Sequence, residues 1–235
     1  MSQPKLGGRK LYYLLRSQFE QGGIKLGRDA LFDALRRTNL LVHAPRCYRK
    51  TTNSKHHLHK HPNLVKNAPR PTEAEQLWVA DITYIDTLET TGYLSLVSDA
   101  HSRKIVGFHL HSTLHTEGVA KALQMALRQR QTERKLIHHS DRGIQYCAAA
   151  YQRLHQRHGL VCSMTDGYDC YQNALAERIN GILKTELLTS IPQNLKQAEM
   201  MIRQAIDIYN TKRPHLALQY KTPDAVHRAS LELHD

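Results

Sequence analysis

The chain has few cysteines and no long apolar run, and each shortage excludes a class of protein. No stretch of about 18 apolar residues is present, so we expect no membrane segment. The first eight residues contain no apolar signal region, so we expect a cytoplasmic protein. Among 235 residues there are four cysteines without a Cys-x-x-Cys pair, which favours free thiols over a disulfide framework. They are Cys47, Cys147, Cys162 and Cys170.

Acidic residues are scarce in the first third of the chain. Residues 1–75 hold 15 Lys and Arg against 5 Asp and Glu, whereas the other 160 residues hold 18 against 16. Most of the net charge of +12 therefore lies in one segment. A basic segment beside a nearly neutral one indicates that the first binds a polyanion on which the second carries out chemistry. The alternative is a charged surface that contacts only solvent.

Two short helices are predicted in the basic segment, at residues 8–20 and 30–37, with Gly22-Gly23 between them. Asp29 is the predicted N-cap of the second helix. Arg28, Arg36 and Arg37 would lie on or near the exposed face of this helix. Such a pair is typical of a helix-turn-helix, in which the second helix contacts DNA.

A basic segment rich in proline and histidine follows, at residues 44–72, and we predict a tether there. Its histidines raise the alternative of a zinc site. No cysteine pair accompanies them at finger-like spacing, so we favour the tether. The histidines are His56, His57, His59 and His61.

The remaining chain alternates strand and helix patterns. Three strands come first, at residues 77–88, 93–99 and 105–110. A helix from a Thr116 cap to residue 131 is then predicted, followed by a strand at 136–140, a helix at 146–158 and a strand at 160–164. Two further helices are predicted at 173–189 and 195–210. The order βββαβαβα predicts an α/β fold with a mixed five-stranded sheet flanked by helices.

Three acidic residues lie where this fold would bring them together. Asp81 lies in the first strand, Asp141 ends the fourth, and Glu177 lies in the helix after the fifth. Carboxylate oxygens are the ligands that Mg²⁺ prefers. Two such ions about 4 Å apart can activate a water or a DNA hydroxyl and stabilise the leaving oxygen of a phosphodiester. Each acid alone is compatible with an ordinary surface role, but together the three predict a metal-dependent phosphodiester site.

The sequence around these acids resembles the insertion-sequence transposases of the IS-three type, the OrfB proteins with an integrase-like, ribonuclease-H-like core and an Asp-Asp-Glu triad. The resemblance covers most of the chain from Trp78 to Pro223. Its segments are Trp78-Val-Ala-Asp81-Ile-Thr-Tyr84, Asp99-Ala-His-Ser102-Arg103-Lys-Ile-Val-Gly107, His138-His-Ser-Asp141-Arg-Gly-Ile-Gln145-Tyr146, Ser163-Met164, Asn173-Ala-Leu-Ala-Glu177, Leu183-Lys184-x-Glu186 and Tyr209-Asn-x-x-Arg213-Pro214-His215. The chain departs from the pattern at Gln172, where many relatives have aspartate, and at Arg178-Ile179-Asn180, where aromatic residues are frequent.

The resemblance implies a transposase that cleaves and transfers DNA strands. Asp81, Asp141 and Glu177 would be the catalytic residues and the ligands of two Mg²⁺ ions, for which Mn²⁺ can substitute. The DNA partners would be the terminal inverted repeats of the element and a target, bound by a homo-oligomer. Members of the family usually act as a fusion with an upstream OrfA-type DNA-binding segment, so this chain would be the catalytic half.

Helical spacing places Asn180 and Lys184 on the same face as Glu177, where they would contact the DNA phosphate near the cleaved bond. A polar stripe on an exposed helix is the alternative for both. Arg213 is a further candidate DNA contact, with a structural role in a turn as its alternative.

We divide the chain into a helix-turn-helix-like DNA-binding module at 1–43, the linker at 44–72, an integrase catalytic core at 73–190 and a C-terminal helical extension at 191–235. Two other functions stay open. One is a catalytically inactive DNA-binding remnant. The other is a structure-specific nuclease or ribonuclease H, because one fold hosts several phosphodiester chemistries.

Overall fold

The computed structural model describes residue 3 and residues 5–42, 56–166 and 173–232. The strands are β1 (Leu77–Asp86), β2 (Thr91–Asp99), β3 (Ile105–His111), β4 (Ile137–Ser140) and β5 (Val161–Met164). The helices are α1 (Gly8–Gln21), α2 (Arg28–Arg37), α3 (Thr116–Gln129), α4 (Ile144–Cys147), α5 (Ala149–Arg157), α6 (Ala174–Ile182), α7 (Leu195–Thr211) and α8 (Pro223–Glu232). Helix α6 continues directly into a π-helical turn at Leu183–Leu187, and a 3₁₀ turn lies at Leu216–Leu218.

The five strands form one sheet in the order β3-β2-β1-β4-β5. The β1–β2 and β2–β3 pairs are antiparallel, whereas β1–β4 and β4–β5 are parallel. The hairpin between β2 and β3 is closed by the Asp99 carboxylate, which accepts hydrogen bonds from the Ser102 amide and hydroxyl, both at 2.8 Å. Arg103 then takes a left-handed backbone conformation, with φ of 66°. The predicted mixed five-stranded α/β fold is confirmed.

Side chains alternate along β1, so the sheet has an apolar core on each face. Trp78 and Ala80 pack in a cluster that includes Leu123 of α3 and Tyr151 of α5. On the opposite face, Ile85 packs in a cluster built mainly from α6 and α7. Burying one large apolar side chain contributes about 1.5–3 kcal/mol. Helix α6, which carries Glu177, packs in this second cluster and is therefore held against the opposite face of the sheet.

Helix α3 lies unusually close to β3. Gly107 permits this approach, because a Cβ atom at that position would collide with the carbonyl oxygen of Ala122. Close helix–strand packing of this kind needs glycine.

Local predictions failed at two helix starts and inside one helix. The N-caps are Gly27 and His115, so the predicted caps Asp29 and Thr116 are wrong. Asp29 instead lies in the first turn of α2, where its charge is favourable to the helix dipole. The helix predicted at 146–158 is split into α4 and α5, because the backbone of Ala148 is extended.

The described part of the linker covers the edge strand β5. The carbonyl oxygen of Pro62 accepts a hydrogen bond of 3.3 Å from the Met164 amide. The Leu64 amide donates to the Ser163 hydroxyl at 3.0 Å. Residues 56–72 therefore lie against the core, and residues 44–55 of the predicted linker lie outside the described residues.

The C-terminal helix α8 is fastened to the core by polar contacts. The Ser102 hydroxyl lies 3.0 Å from Nδ1 of His227, and the Ala74 amide donates to the Ser230 hydroxyl at 2.8 Å. Lys104 forms an ion pair of 2.8 Å with Asp224.

Two expectations from composition concern cysteines and membrane segments. Cys147 and Cys162 are free thiols, whereas Cys47 and Cys170 lie outside the described residues. Within the described ranges, the structure contains no helix with the length and apolar character needed to span a bilayer.

Two buried histidines make the stability of the fold depend on pH. Burial lowers the pKa of both His138 and His155, whereas an unfolded chain protonates histidine near pH 6.5. The folded protein therefore binds fewer protons, and its free energy of unfolding decreases as the pH falls below about 6.5. Each such histidine contributes a slope of about 1.4 kcal/mol per pH unit.

The measurement is urea unfolding from pH 7.5 down to pH 5. His138→Gln should show a shallower slope than the wild type, because glutamine does not titrate but can still contact the Tyr151 hydroxyl, which lies 3.2 Å from Nε2 of His138. The control is His158→Gln at an exposed position, which should keep the wild-type slope. Equal slopes in His138→Gln and the wild type would contradict the assignment.

Candidate active site

Neighbouring parallel strands bring Asp81 and Asp141 to the same level of the sheet. Val79 of β1 pairs with His139 of β4. Because the two strands are parallel, Asp81 and Asp141, each two residues further along, come to the same level. Adjacent strands lie about 4.8 Å apart. The strand ladder therefore places the backbones of these two residues next to each other.

Helix α6 is fixed across β1 by two asparagines on either side of Glu177. Asn173 Nδ2 donates to the Ala80 carbonyl at 3.0 Å, and Asn180 Nδ2 donates to Asp81 Oδ2 at 2.7 Å. Positions four before and three after a residue share its helix face. Glu177 therefore lies on the face of α6 that is turned toward Asp81.

The charges of the three acids act on one another. Burial raises the pKa of Asp81 to about 8, with contributions from the charge of Asp141 and, less strongly, of Glu177. Burial and the charge of Asp141 also raise the pKa of Glu177. Carboxylates raise one another's pKa in this way when they share a site that lacks a balancing cation.

The donor set suits a divalent cation, although the side chains are not arranged as a finished ligand set. Within the described residues, no three His, Cys, Asp or Glu side chains are grouped closely enough to hold a metal ion. Asp81 is engaged by Asn180, and Asp141 Oδ1 accepts a hydrogen bond of 2.9 Å from the Gly143 amide. The three acids supply the carboxylate oxygens that hard cations bind, and their mutual repulsion is what such a cation would relieve.

Two of the predicted DNA contacts lie inside the protein. Asn180 is buried and bonded to Asp81, so it positions a carboxylate instead of presenting its amide to solvent. Arg213 is 1% exposed and forms a bidentate ion pair with Glu186, at 2.9 Å and 2.8 Å. We therefore correct both assignments, and for Arg213 the structural alternative is the one that the structure supports.

The other predicted contacts are exposed. Lys184 lies in the π-helical turn that follows α6, with its side chain in contact with solvent. The three arginines of α2 are also exposed, and two of them have local ion-pair partners, Asp29 at 2.9 Å and Asp33 at 2.5 Å. These arginines are Arg28, Arg36 and Arg37.

Glu186 and Lys10 have structural roles that were not predicted from the sequence: Glu186 pairs with Arg213 and is approached by Lys10. Glu186 stands in the segment Leu183-Lys184-x-Glu186, and its partner Arg213 stands in another matching segment. An acidic residue in one matching segment and a basic residue in the other were the only sequence signal for a pairing of the two side chains. Spacing alone could not pair them, because the contact depends on how α6 packs against the end of α7.

Comparison with known families identifies two matches in the chain. Models described as "Integrase core domain" match residues 71–170 and residues 158–223. The chain is 39% identical to the "Insertion element IS600 uncharacterized 31 kDa protein" of Shigella sonnei, over 90% of this chain and 78% of that protein. It is 30% identical to a "Putative transposase for insertion sequence element IS986/IS6110" of Mycobacterium tuberculosis, over 88% of this chain and 76% of that protein.

Solved structures share the fold. The magnesium complex of the HTLV-2 integrase catalytic core domain superimposes with a TM-score of 0.53 at 18% identity, covering 66% of this chain and 98% of that one. The simian T-cell lymphotropic virus intasome, solved with the PP2A regulatory subunit B56 gamma, gives 0.59 at 20% identity, covering 94% and 74%. At these identities the likeness concerns the fold alone.

Proposed function

The chain belongs to the insertion-sequence transposases with an integrase core domain, and from this premise we propose that it cleaves the ends of an insertion sequence and joins them to target DNA. The observation that supports the proposal is that Asp81 and Asp141 follow the paired residues Val79 and His139 of neighbouring parallel strands, while Asn180 bonds the helix of Glu177 to Asp81. Burial, and after it the charge of Asp141, raises the pKa of both Asp81 and Glu177, which supports a functional site formed by these acids.

In the proposed site, Asp81, Asp141 and Glu177 would hold two Mg²⁺ ions, for which Mn²⁺ could substitute. When bound, such ions supply charge stabilisation for the attacking and leaving oxygens of a phosphodiester. Asn180 keeps the Asp81 carboxylate oriented through its 2.7 Å hydrogen bond. Asn173 holds the start of α6 on the Ala80 carbonyl, so that Glu177 keeps its place.

The proposed substrate is DNA, namely the terminal inverted repeats of the element and a target duplex. Arg28, Arg36 and Arg37 on α2 would bind its backbone, and exposed Lys184 would contact the strand beside the carboxylates. We further propose that several copies assemble on the DNA and that an upstream OrfA-type segment takes part.

The direct test incubates the purified protein with a duplex that carries the element end, a target duplex and Mg²⁺. Products in which the end is joined to the target are expected. Nicked DNA without joined product would favour the nuclease alternative, and a gel shift without any cleavage would favour the inactive remnant.

Replacing Asn180 with alanine is expected to lower the cleavage rate about 10- to 100-fold, the usual effect of removing a group that orients a metal ligand. The Asp81 carboxylate would lose its 2.7 Å donor and its fixed orientation. The measurement is the cleavage rate as a function of Mg²⁺ concentration, whose half-maximal value should rise. The control is Asn67→Ala at an exposed position. If Asn180→Ala responded to Mg²⁺ like the wild type, Asn180 would not be the residue that positions the Asp81 carboxylate.

A further inference from the structure

The described part of the linker reaches the turn that follows Asp141. Nε2 of His56 lies 2.8 Å from the carbonyl oxygen of Arg142, the residue next to Asp141. A carbonyl oxygen only accepts hydrogen bonds, so Nε2 carries a proton and donates it to this bond. Nδ1 of the same ring is buried, with no hydrogen-bond partner among the residues that the structure describes. Among these residues, the Arg142 carbonyl is therefore the polar contact that holds the ring in place.

The carbonyl that His56 binds belongs to the same peptide group as an amide that binds Asp141. This peptide joins Arg142 to Gly143, and its N–H group donates to Oδ1 of Asp141 at 2.9 Å. A trans peptide group is planar, so its C=O and N–H groups turn together as one rigid unit. A rotation that released the Asp141 carboxylate would also pull the carbonyl away from His56. A hydrogen bond at the carbonyl further polarises the peptide and strengthens its N–H donor.

A second set of contacts ties the linker to the strand before Asp141. The Leu64 amide donates to the Ser163 hydroxyl at 3.0 Å, and this hydroxyl lies 2.8 Å from Nδ1 of His139. His139 is buried in β4, two residues before Asp141. The linker therefore contacts the segment of Asp141 on both sides, through Ser163 before it and at Arg142 after it.

We infer that His56 is a positioning residue for Asp141, which acts through the peptide between Arg142 and Gly143. The inference rests on the proposed function, because it assumes that the Asp141 carboxylate would hold a metal ion. Groups that orient a metal ligand change metal affinity or activity about 10- to 100-fold. His56 acts through one intervening peptide, so we expect an effect of about tenfold, at the lower end of that range. The histidine-rich segment would then support the catalytic core directly.

The first measurement is hydrogen exchange at the Gly143 amide by NMR, without metal or DNA. His56→Ala removes the donor to the peptide, and exchange should become about fivefold faster, the effect of losing one hydrogen bond of ordinary strength. His56→Gln keeps an N–H donor and should stay close to the wild type. The amides of β2 should exchange as in the wild type. Unchanged exchange at Gly143 in His56→Ala, or an equal acceleration throughout β2, overturns the inference.

The matched control is His57→Ala, the same change at the next residue of the linker, where the side chain is exposed. This variant should leave exchange at Gly143 unchanged. An acceleration equal to that of His56→Ala would show that the bond to Arg142 is not the cause, which also overturns the inference.

The second measurement tests whether His56 acts on the carboxylate. Asp141→Ala removes the acceptor of the Gly143 amide and should itself accelerate exchange at that amide. Adding His56→Ala to this variant should accelerate it little further, because two changes that act on one contact are not additive. Full additivity of the two substitutions would contradict the proposed link.

The third measurement is the rate of DNA cleavage as a function of Mg²⁺ concentration. His56→Ala should require about tenfold more Mg²⁺ for its half-maximal rate and should approach the wild-type rate at saturation. His56→Gln and His57→Ala should respond like the wild type. A lower rate in His56→Ala at every concentration, with an unchanged half-maximal concentration, would exclude a role in positioning the carboxylate.

The exchange and cleavage measurements separate the two proposals. If exchange at Gly143 responds as expected but the wild type never cleaves DNA with Mg²⁺, the proposed function fails and the hydrogen-bonded link from His56 to Asp141 stands. If the wild type cleaves DNA and His56→Ala matches it in both measurements, only the positioning role of His56 fails.

Discussion

Asp141→Asn is expected to abolish strand cleavage and joining while leaving DNA affinity unchanged. The substitution keeps the size of the side chain and removes one of the three charges that would hold the metal ions. Metal ions contribute several kcal/mol to such reactions, so a loss of at least about a thousandfold is expected. Gel-shift binding and the appearance of joined product, measured on the same DNA, check both halves of the expectation.

The control for Asp141→Asn is Asp207→Asn, the same chemical change at an exposed position of α7. This variant should cleave and join like the wild type. Both variants are assayed with Mg²⁺ and with Mn²⁺, since Mn²⁺ can partly restore a weakened metal site. Joining at the wild-type rate by Asp141→Asn with either ion would show that the carboxylate cluster is not the catalytic centre.

Glu186→Gln is expected to lower the free energy of unfolding by about 3 kcal/mol or more. The guanidinium of Arg213 is 1% exposed, and this change would leave it without its counter-charge. Removing one partner of a buried ion pair costs about 3–5 kcal/mol, because the remaining charge stays away from water. Urea unfolding at neutral pH measures the difference.

The matched comparison for Glu186→Gln is Glu199→Gln, which breaks the exposed Arg203–Glu199 pair on α7. Exposed pairs of this type contribute at most about 0.5 kcal/mol. Similar losses in the two variants would mean that burial does not set the strength of the Glu186–Arg213 pair. It would also weaken the case that this pair anchors the end of α6.

The sheet could be predicted from the sequence because the pattern typical of a strand recurs several times along the chain. Alternating apolar residues indicate each strand, and the order of strands and helices indicates a mixed sheet. The parallel pairing of β1 with β4, which sets Asp141 beside Asp81 along the backbone, was not predicted and comes from the structure. Helix starts were less predictable. Asp29 is a favourable N-cap residue, yet the helix begins two residues earlier than predicted, at Arg28 after Gly27, because several local solutions differ little in energy.

Contacts between distant polar side chains were beyond prediction from spacing. Asn180 was placed correctly on the face of Glu177, but whether its amide points to solvent or to Asp81 depends on how closely α6 lies on β1. Arg213 lies in a segment that matches the family pattern. The match indicates that the residue has a role, but it does not show whether that role is DNA contact or internal structure. Only the fold shows that it is paired with Glu186 in the interior.

The way the linker lies along β5 has a consequence for work with shortened proteins. A fragment beginning at residue 73 would keep all three acids but lose Pro62 and Leu64, which occupy hydrogen-bonding groups at the margin of the sheet. Uncovered strand margins promote self-association and aggregation. Poor solubility of such a truncated protein would therefore reflect a missing protective cover, and a start near residue 56 is the better choice for expression.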